Sequence, residues 1–167
     1  MTTENRKMLI LTVTLVLGSA IALSSISGTL VVFANHEFAA NLTGQQEVPP
    51  VNTQATGEAI FVPDLPRNET IDFWVNGTGI QGVTLGHIHS GAQGENGPVV
   101  VTLFKFDSPQ NNLTQSGTVA ANNLEGPMKG KTIPDLITAM KNGSTYANFH
   151  TEKNPDGEIR GQIMSAK

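Results

Sequence analysis

Two histidines, His87 and His89, flank a single isoleucine in the stretch GVTLGHIHSGAQGENGPVVVTL at residues 82–103, and His150 lies near the C-terminus. A β-strand sends alternate side chains to opposite faces, so on a strand His87 and His89 share one face and Ile88 points to the other. Neutral imidazole is a common ligand of copper and zinc. With a third imidazole from a neighbouring strand end, the pattern predicts a copper or zinc site at His87, His89 and His150.

A second interpretation of the same histidines stays open. Residues 90–98 are rich in glycine and include Pro98, and residues 152–157 form a polar stretch with Asn154, Pro155 and Gly157, so both segments are predicted loops or turns. His89 and His150 would then stand where their strands end. In this interpretation the histidines hydrogen-bond loop carbonyls and cap the turns.

Two charged residues are expected to have structural roles. Glu47 precedes the Pro49-Pro50 pair and is expected to accept hydrogen bonds that fix a turn. Arg160 lies between Ile159 and Gly161, and its guanidinium is expected to pair with a buried carboxylate such as Glu47 or to bond loop carbonyls. The sequence has no Ser/His/Asp order, phosphate loop or paired-carboxylate motif, so no catalytic residue is predicted and the chain is not expected to be an enzyme.

The first 34 residues predict export. Arg6 and Lys7 precede an uncharged, apolar run at residues 8–35, which is typical of a signal peptide with cleavage after Ala34. The run is also long enough for a membrane-spanning anchor, so both alternatives stay open. In either case residues 35–167 are expected to form one extracellular or envelope domain, with a membrane reached only through the N-terminal segment.

Composition excludes several classes of protein. Without residues 1–34 the chain has eight basic and thirteen acidic residues, a net charge of −5, since Glu4, Arg6 and Lys7 are removed from totals of 14 acidic and 10 basic. Nucleic acid is therefore not an expected partner, because there is no basic cluster to bind phosphate. The chain has no cysteine, which excludes disulfides, thiolate metal sites and lipid attachment.

Five N-x-[ST] sequons predict candidate glycosylation sites in an exported chain. Their frequency also fits chance in a sequence rich in Asn, Gly and Thr. They lie at Asn41, Asn68, Asn76, Asn112 and Asn142.

Hydrophobic alternation predicts an all-β fold. Residues 71–76 alternate between apolar and mostly polar positions, as expected for a sheet with one buried face, although this places Trp74 on the outer side. Strands are predicted at 37–42, 55–63, 69–76, 82–89, 99–104, 117–121, 146–151 and 158–163, with a polar loop at 107–114 and one helix at 134–142. This pattern indicates an antiparallel Greek-key, immunoglobulin-like β-sandwich with one short helix.

The predicted core of this sandwich consists of apolar residues on the inward parity of each strand and of the helix. Its members are Phe61, Ile71, Phe73, Val75, Ile88, Val99, Val101, Leu103, Leu136, Ala147, Phe149, Ile159 and Ile163.

The segments together resemble the CHRD domain, a module first described in chordin and found in many bacterial and archaeal exported proteins. The resemblance rests on FAANLTG at 38–44, QEVPPV at 46–51, ATG at 55–57, GHIHSG at 86–91, GENGPVV at 94–100, YANFHT at 146–151 and NPDGEIRGQI at 154–163. It implies a single extracellular β-rich domain with no well-established catalytic activity. Animal members bind growth factors.

The histidine pattern is also distantly similar to the copper ligands of copper/zinc superoxide dismutases, another Greek-key β fold. His87-x-His89 on a strand and His150 before a terminal strand carry this similarity. No histidine lies between His89 and His150, so the bridging and zinc ligands have no counterpart, and these departures count against dismutase activity. The resemblance therefore extends only to the arrangement of the copper ligands.

The sequence therefore leads to two hypotheses of function. The first is an exported, non-catalytic binding or structural module of the cell envelope or extracellular space, whose partner is an unidentified extracellular protein or glycan. The second is a copper- or zinc-binding protein that uses His87, His89 and His150.

Overall fold

The computed structural model describes residues 38–166, which form nine β-strands and one α-helix. The predicted signal or anchor at residues 1–34 and its cleavage site lie outside these residues. The strands are β1 Phe38–Thr43, β2 Thr56–Pro63, β3 Thr70–Thr78, β4 Val83–Ser90, β5 Val99–Gln110, β6 Leu113–Ala120, β7 Thr145–Thr151, β8 Ile159–Gln162 and β9 Met164–Ser165. The helix α1 spans Ile133–Lys141, and single 3-10 turns lie at Gly44–Gln46, Ala121–Asn123 and Gly126–Met128.

The strands belong to one antiparallel sheet with the order β5-β4-β7-β8-β1-β2-β3-β6, and β9 pairs with β1. The predicted all-β antiparallel class is confirmed. The predicted sandwich is wrong, because the strands pair into one sheet and not into two. β5 and β6 are the two ends of the strand order, yet only Asn111 and Asn112 separate them in sequence. This short connection brings the two edges of the sheet together, so the sheet curls into a nearly closed barrel.

The region around residues 107–114 corrects the sequence prediction. The predicted polar loop is a hairpin, in which β5 continues to Gln110 and β6 begins at Leu113. Pro109 is compatible with a strand because β5 is an edge strand and its nitrogen needs no ladder partner there. Asn112 adopts a positive φ of 69° in the turn, a conformation that asparagine tolerates better than most residues.

Alternating side chains of the strands fill the core, largely as predicted. Ile88, Phe61, Phe149 and Ile159 are fully buried. Of the thirteen predicted core residues, Val99 and Leu103 are only partly buried. β-Bulges between β4 and β5 shift the register, so the adjacent Val100 and Val101 are both buried and the simple alternation in β5 is lost.

Helix α1 begins and ends where its local signals place it, within one residue of the prediction. Thr132 and Asp135 form a capping box, and Gly143 follows the helix with a positive φ of 63°. The buried face consists of Ile133, Leu136, Ile137 and Met140. Among residues 38–166 no helix has the length and hydrophobicity of a membrane-spanning segment.

Candidate metal centre

Strands β4 and β7 are neighbours and bring the three predicted histidines together. Leu85 of β4 pairs with His150 of β7, and His87 pairs with Asn148. Ile88 points into the core and is fully buried, so His87 and His89 lie on the outer face of the sheet. His150 has the same parity on β7 as Asn148 and therefore shares that face.

The outer face of β7 is covered although it points away from the barrel core. Every residue of β7 is buried, including the outward Tyr146, Asn148 and His150. The loop at residues 90–98 contributes to this cover. Arg160 holds the loop by donating to the carbonyls of Ala92 at 3.1 Å and Glu95 at 2.7 Å. This fixed loop contacts His89 and Tyr146 through Gly97, whereas His87 and His89 themselves are half-buried.

The hydrogen bonds to loop carbonyls define the protonated nitrogen of two rings. His89 Nδ1 lies 2.9 Å from the carbonyl oxygen of Gly97, and His150 Nδ1 lies 2.9 Å from that of Pro155. A carbonyl only accepts, so each Nδ1 carries the proton and donates it. In the neutral rings Nε2 is then the nitrogen with the free lone pair. Turn capping and metal binding therefore use different nitrogens of the same rings.

The three histidine rings lie close enough for one nitrogen of each to approach the others. His87 Nδ1 lies 3.0 Å from His150 Nε2. One ring nitrogen from each of His87, His89 and His150 lies within 4.8 Å of the other two, and this is the one such group of three potential ligands within residues 38–166. His89 Nε2 is buried and has no hydrogen-bond partner. A buried acceptor without a partner is costly, and a bound cation would satisfy it.

Burial keeps the three imidazoles neutral. Burial, together with the nearby His150 and His89, lowers the pKa of His87 from 6.5 to about 4. Burial is also the main cause that lowers the pKa of His89 and of His150, although the Asp156 carboxylate acts on His150 in the opposite direction. At neutral pH all three rings therefore present lone pairs, as metal ligation requires.

Tyr146 and Arg160 form a stack beside His89. The imidazole of His89 is parallel to the Tyr146 ring, with centroids 4.8 Å apart and 9° between the planes. The Arg160 guanidinium carbon lies 3.4 Å from the centroid of the same ring. The Tyr146 hydroxyl accepts from Gly97 N at 3.2 Å. The carbonyl of Gly97 also accepts from His89 Nδ1. Stacking on Tyr146 therefore fixes the plane of the His89 ring, and Gly97, which is itself bonded to Tyr146, fixes its tautomer.

Glu47 lies in a separate polar cluster on the same side of the sheet. The Asn148 amide donates to both Glu47 carboxylate oxygens, at 3.0 Å and 3.1 Å. Burial raises the pKa of Glu47 to about 7, against the lowering effects of Asn148 and Arg160. Arg160 makes its hydrogen bonds with the loop at 90–98, which is the second of the two alternatives from the sequence.

Comparison with known families now identifies the fold unit. The family model of the CHRD domain matches residues 38–163. The chain belongs to the CHRD domain family. Comparisons with curated proteins and with solved structures found no match.

The CHRD match covers strands β1 to β8, including β4 and β7, which carry the three histidines. The sequence predicts the three histidines of this CHRD domain as site residues, but it does not predict a role for Tyr146 or Asn148. Their spacing with His150 was the available signal, because residues 146, 148 and 150 share one face of a strand. Four of the five sequon asparagines in the domain are exposed and Asn68 is partly buried.

Proposed function

We propose that this CHRD domain binds one copper or zinc ion through His87, His89 and His150. Two observations carry the proposal: one ring nitrogen from each of the three histidines lies within 4.8 Å of the other two, and His89 Nε2 is buried without a hydrogen-bond partner. A turn-capping role alone accounts for the Nδ1 atoms of His89 and His150. It leaves His89 Nε2 buried without a hydrogen-bond partner.

The donor set favours copper over zinc. Imidazole suits both metals, and the affinity of nitrogen sites for divalent ions rises to copper and falls again at zinc. Three neutral ligands leave a further coordination position for water or a small ligand. We therefore expect the domain to act as a copper-binding module, in which binding is the function and no catalytic step is required.

Metal retention tests the proposal. The protein lacking residues 1–34 is loaded with Cu(II) or Zn(II), desalted and analysed for metal, and we expect about one equivalent per chain. His89→Ala and His150→Ala should each abolish retention. His36→Ala is the matched control, because it removes the fourth histidine of the chain and any loose Cu(II) binding near a new N-terminus. A wild-type protein that retains no metal, or that loses it only with His36→Ala, would refute the proposal.

Family membership supports a wider role as an exported binding module. CHRD domains are typically extracellular, which fits an exported module that binds a partner. The partner in this second proposal is an extracellular protein or glycan. Capture of envelope proteins or glycans by the immobilised domain, with a heat-unfolded sample as control, tests it. Absence of any captured partner and of self-association would count against a binding role.

A further inference from the structure

The only tryptophan of the chain lies on the outer face of the barrel, far from the histidines in the strand order. Trp74 of β3 is 46 % exposed, whereas its neighbours Phe73 and Val75 are buried in the core. Trp74 pairs with Ile60 of β2 on one side and with Ser116 of β6 on the other. The described residues therefore leave nearly half of this large apolar side chain uncovered.

A sequon lies on the same face of the same strand. Asn76 is exposed and follows Trp74 by two residues, so the two side chains stand roughly 7 Å apart at their bases. Thr78 completes the sequon and is also exposed. Among the five sequons only this one has an aromatic residue two positions before the asparagine; the others have Ala39, Pro66, Gln110 and Met140 there.

The space between the two side chains is a shallow cavity. It has a volume of about 290 Å³ and is lined by Ile60, Trp74, Asn76, Thr114 and Ser116, among others. The hydroxyls of Thr114 and Ser116 can donate to and accept from a polyhydroxylated group. A pyranose ring has one apolar C–H face and polar edges, so it matches an indole flanked by such groups.

We infer that Asn76 is an N-glycosylation site and that the first sugar attached to it packs against Trp74. The inference rests on the proposed export of the chain but not on metal binding. The occupant is the chain's own glycan, because the asparagine that would carry it is itself part of the cavity wall.

The modification leaves the local hydrogen bonding intact. Asn76 Nδ2 gives one proton to a base of the transferase and forms a bond to the anomeric carbon of a lipid-linked sugar phosphate donor. The bond between that carbon and the phosphate oxygen breaks, and the lipid phosphate leaves with the bonding electron pair. The product amide keeps one N–H. In the unmodified chain Asn76 Nδ2 donates to Glu58 Oε2 at 3.3 Å. The N–H that remains after modification can still donate to the same oxygen. The glycan can therefore be added without breaking this cross-strand contact.

The single tryptophan makes the inference testable by fluorescence. The full chain is produced behind a secretory leader in a host that glycosylates N-x-[ST], so that all five sequons meet the transferase, and glycopeptides are mapped by mass spectrometry. We expect a glycan on Asn76. The constant for acrylamide quenching of Trp74 fluorescence should be about two-fold lower, or lower still, in this protein than in Thr78→Ala, which lacks the sequon. Thr78→Ser keeps the sequon and should give the wild-type constant.

A second measurement separates packing from simple shielding. The glycan should raise the melting temperature of wild type over that of Thr78→Ala, and this gain should disappear in the Trp74→Val background. An unmodified Asn76, equal quenching in wild type and Thr78→Ala, or the same gain with and without Trp74 would each overturn the inference.

Discussion

His87 Nδ1 lies 3.0 Å from Nε2 of His150, a residue 63 positions further along the chain. Because Nδ1 of His150 donates to the Pro155 carbonyl, its Nε2 must accept, and the shared proton belongs to His87 Nδ1 in the metal-free domain. In the proposed site, a bound ion would take the place of that proton. We therefore propose His87 Nδ1 and His150 Nε2 as the atoms through which these two residues would hold the ion.

The first prediction concerns the tautomer of His87. Long-range ¹H–¹⁵N spectra of the metal-free domain should give an Nδ1–H tautomer for all three rings. Addition of Zn(II), which is diamagnetic, should move the His87 proton to Nε2 and leave the Nδ1–H of His89 and His150 in place, since carbonyls hold those protons. A His87 ring that keeps its Nδ1 proton in the zinc-loaded protein would contradict the proposed ligand set.

The second prediction concerns the orientation of His89. Tyr146→Phe keeps the ring that stacks on His89 but removes the hydroxyl that bonds Gly97 at 3.2 Å. We expect metal affinity to fall about ten-fold with an unchanged stoichiometry, because groups that orient a ligand commonly contribute this much. Competition with a chromogenic chelator measures the affinity. Thr118→Ala, which removes an exposed hydroxyl on β6, is the control and should leave the affinity unchanged.

The third prediction concerns the pH dependence of the metal-free domain. The pKa of His87 is lowered to about 4 by burial, so between pH 4 and 6.5 the unfolded chain binds more protons than the folded one. The stability contributed by the neutral histidine is present above pH 6.5 and is lost as the pH falls through about 4. His89 and His150, whose pKa values are lowered as well, act in the same direction.

Glu47 acts against the histidines in part of this range. Its pKa is raised to about 7 by burial, so its contribution is present below pH 4.5 and is lost as the pH rises through about 7. Glu47→Gln should therefore steepen the rise of unfolding free energy with pH between 4.5 and 6.5, by at most about 1.4 kcal/mol per pH unit. Urea unfolding across this range measures the slope. A slope that stays the same or becomes shallower in Glu47→Gln would contradict the assignment.

The fourth prediction concerns the turn beneath Glu47. Gly157 has a φ of 134°, and a Cβ there would lie 2.5 Å from Asn148 Oδ1 and 2.7 Å from Glu47 Oε1. Gly157→Ala should therefore lower the unfolding free energy by more than the roughly 1–3 kcal/mol of the backbone strain alone. Gly94→Ala is the matched control, because Gly94 also has a positive φ, of 83°, but nothing lies within 4 Å of the added atom. Equal losses in the two variants would refute the contact.

Local patterns in the sequence determine much of this protein. The alternation around Phe73 places Trp74 outside and its neighbours inside, the capping signals at Thr132 and Gly143 bound the helix, and the His-x-His spacing puts His87 and His89 on one face. Each of these features depends on residues close together in the chain, where strand and helix periodicity apply directly. The motifs at both ends of residues 38–163 also carry the CHRD resemblance that the family match confirms.

Only the tertiary structure decides which strands are neighbours. The pairing of β4 with β7 brings His150 to His87, and the same arrangement stacks Tyr146 between residues from β4 and β8. The bulges between β4 and β5 bury Val100 where alternation alone predicts Val99, and the turn at Asn111 and Asn112 joins the two ends of the sheet order. Strand pairing at such separations depends on how the whole barrel closes, because register and bulges are set by packing across strands and not by neighbours in sequence.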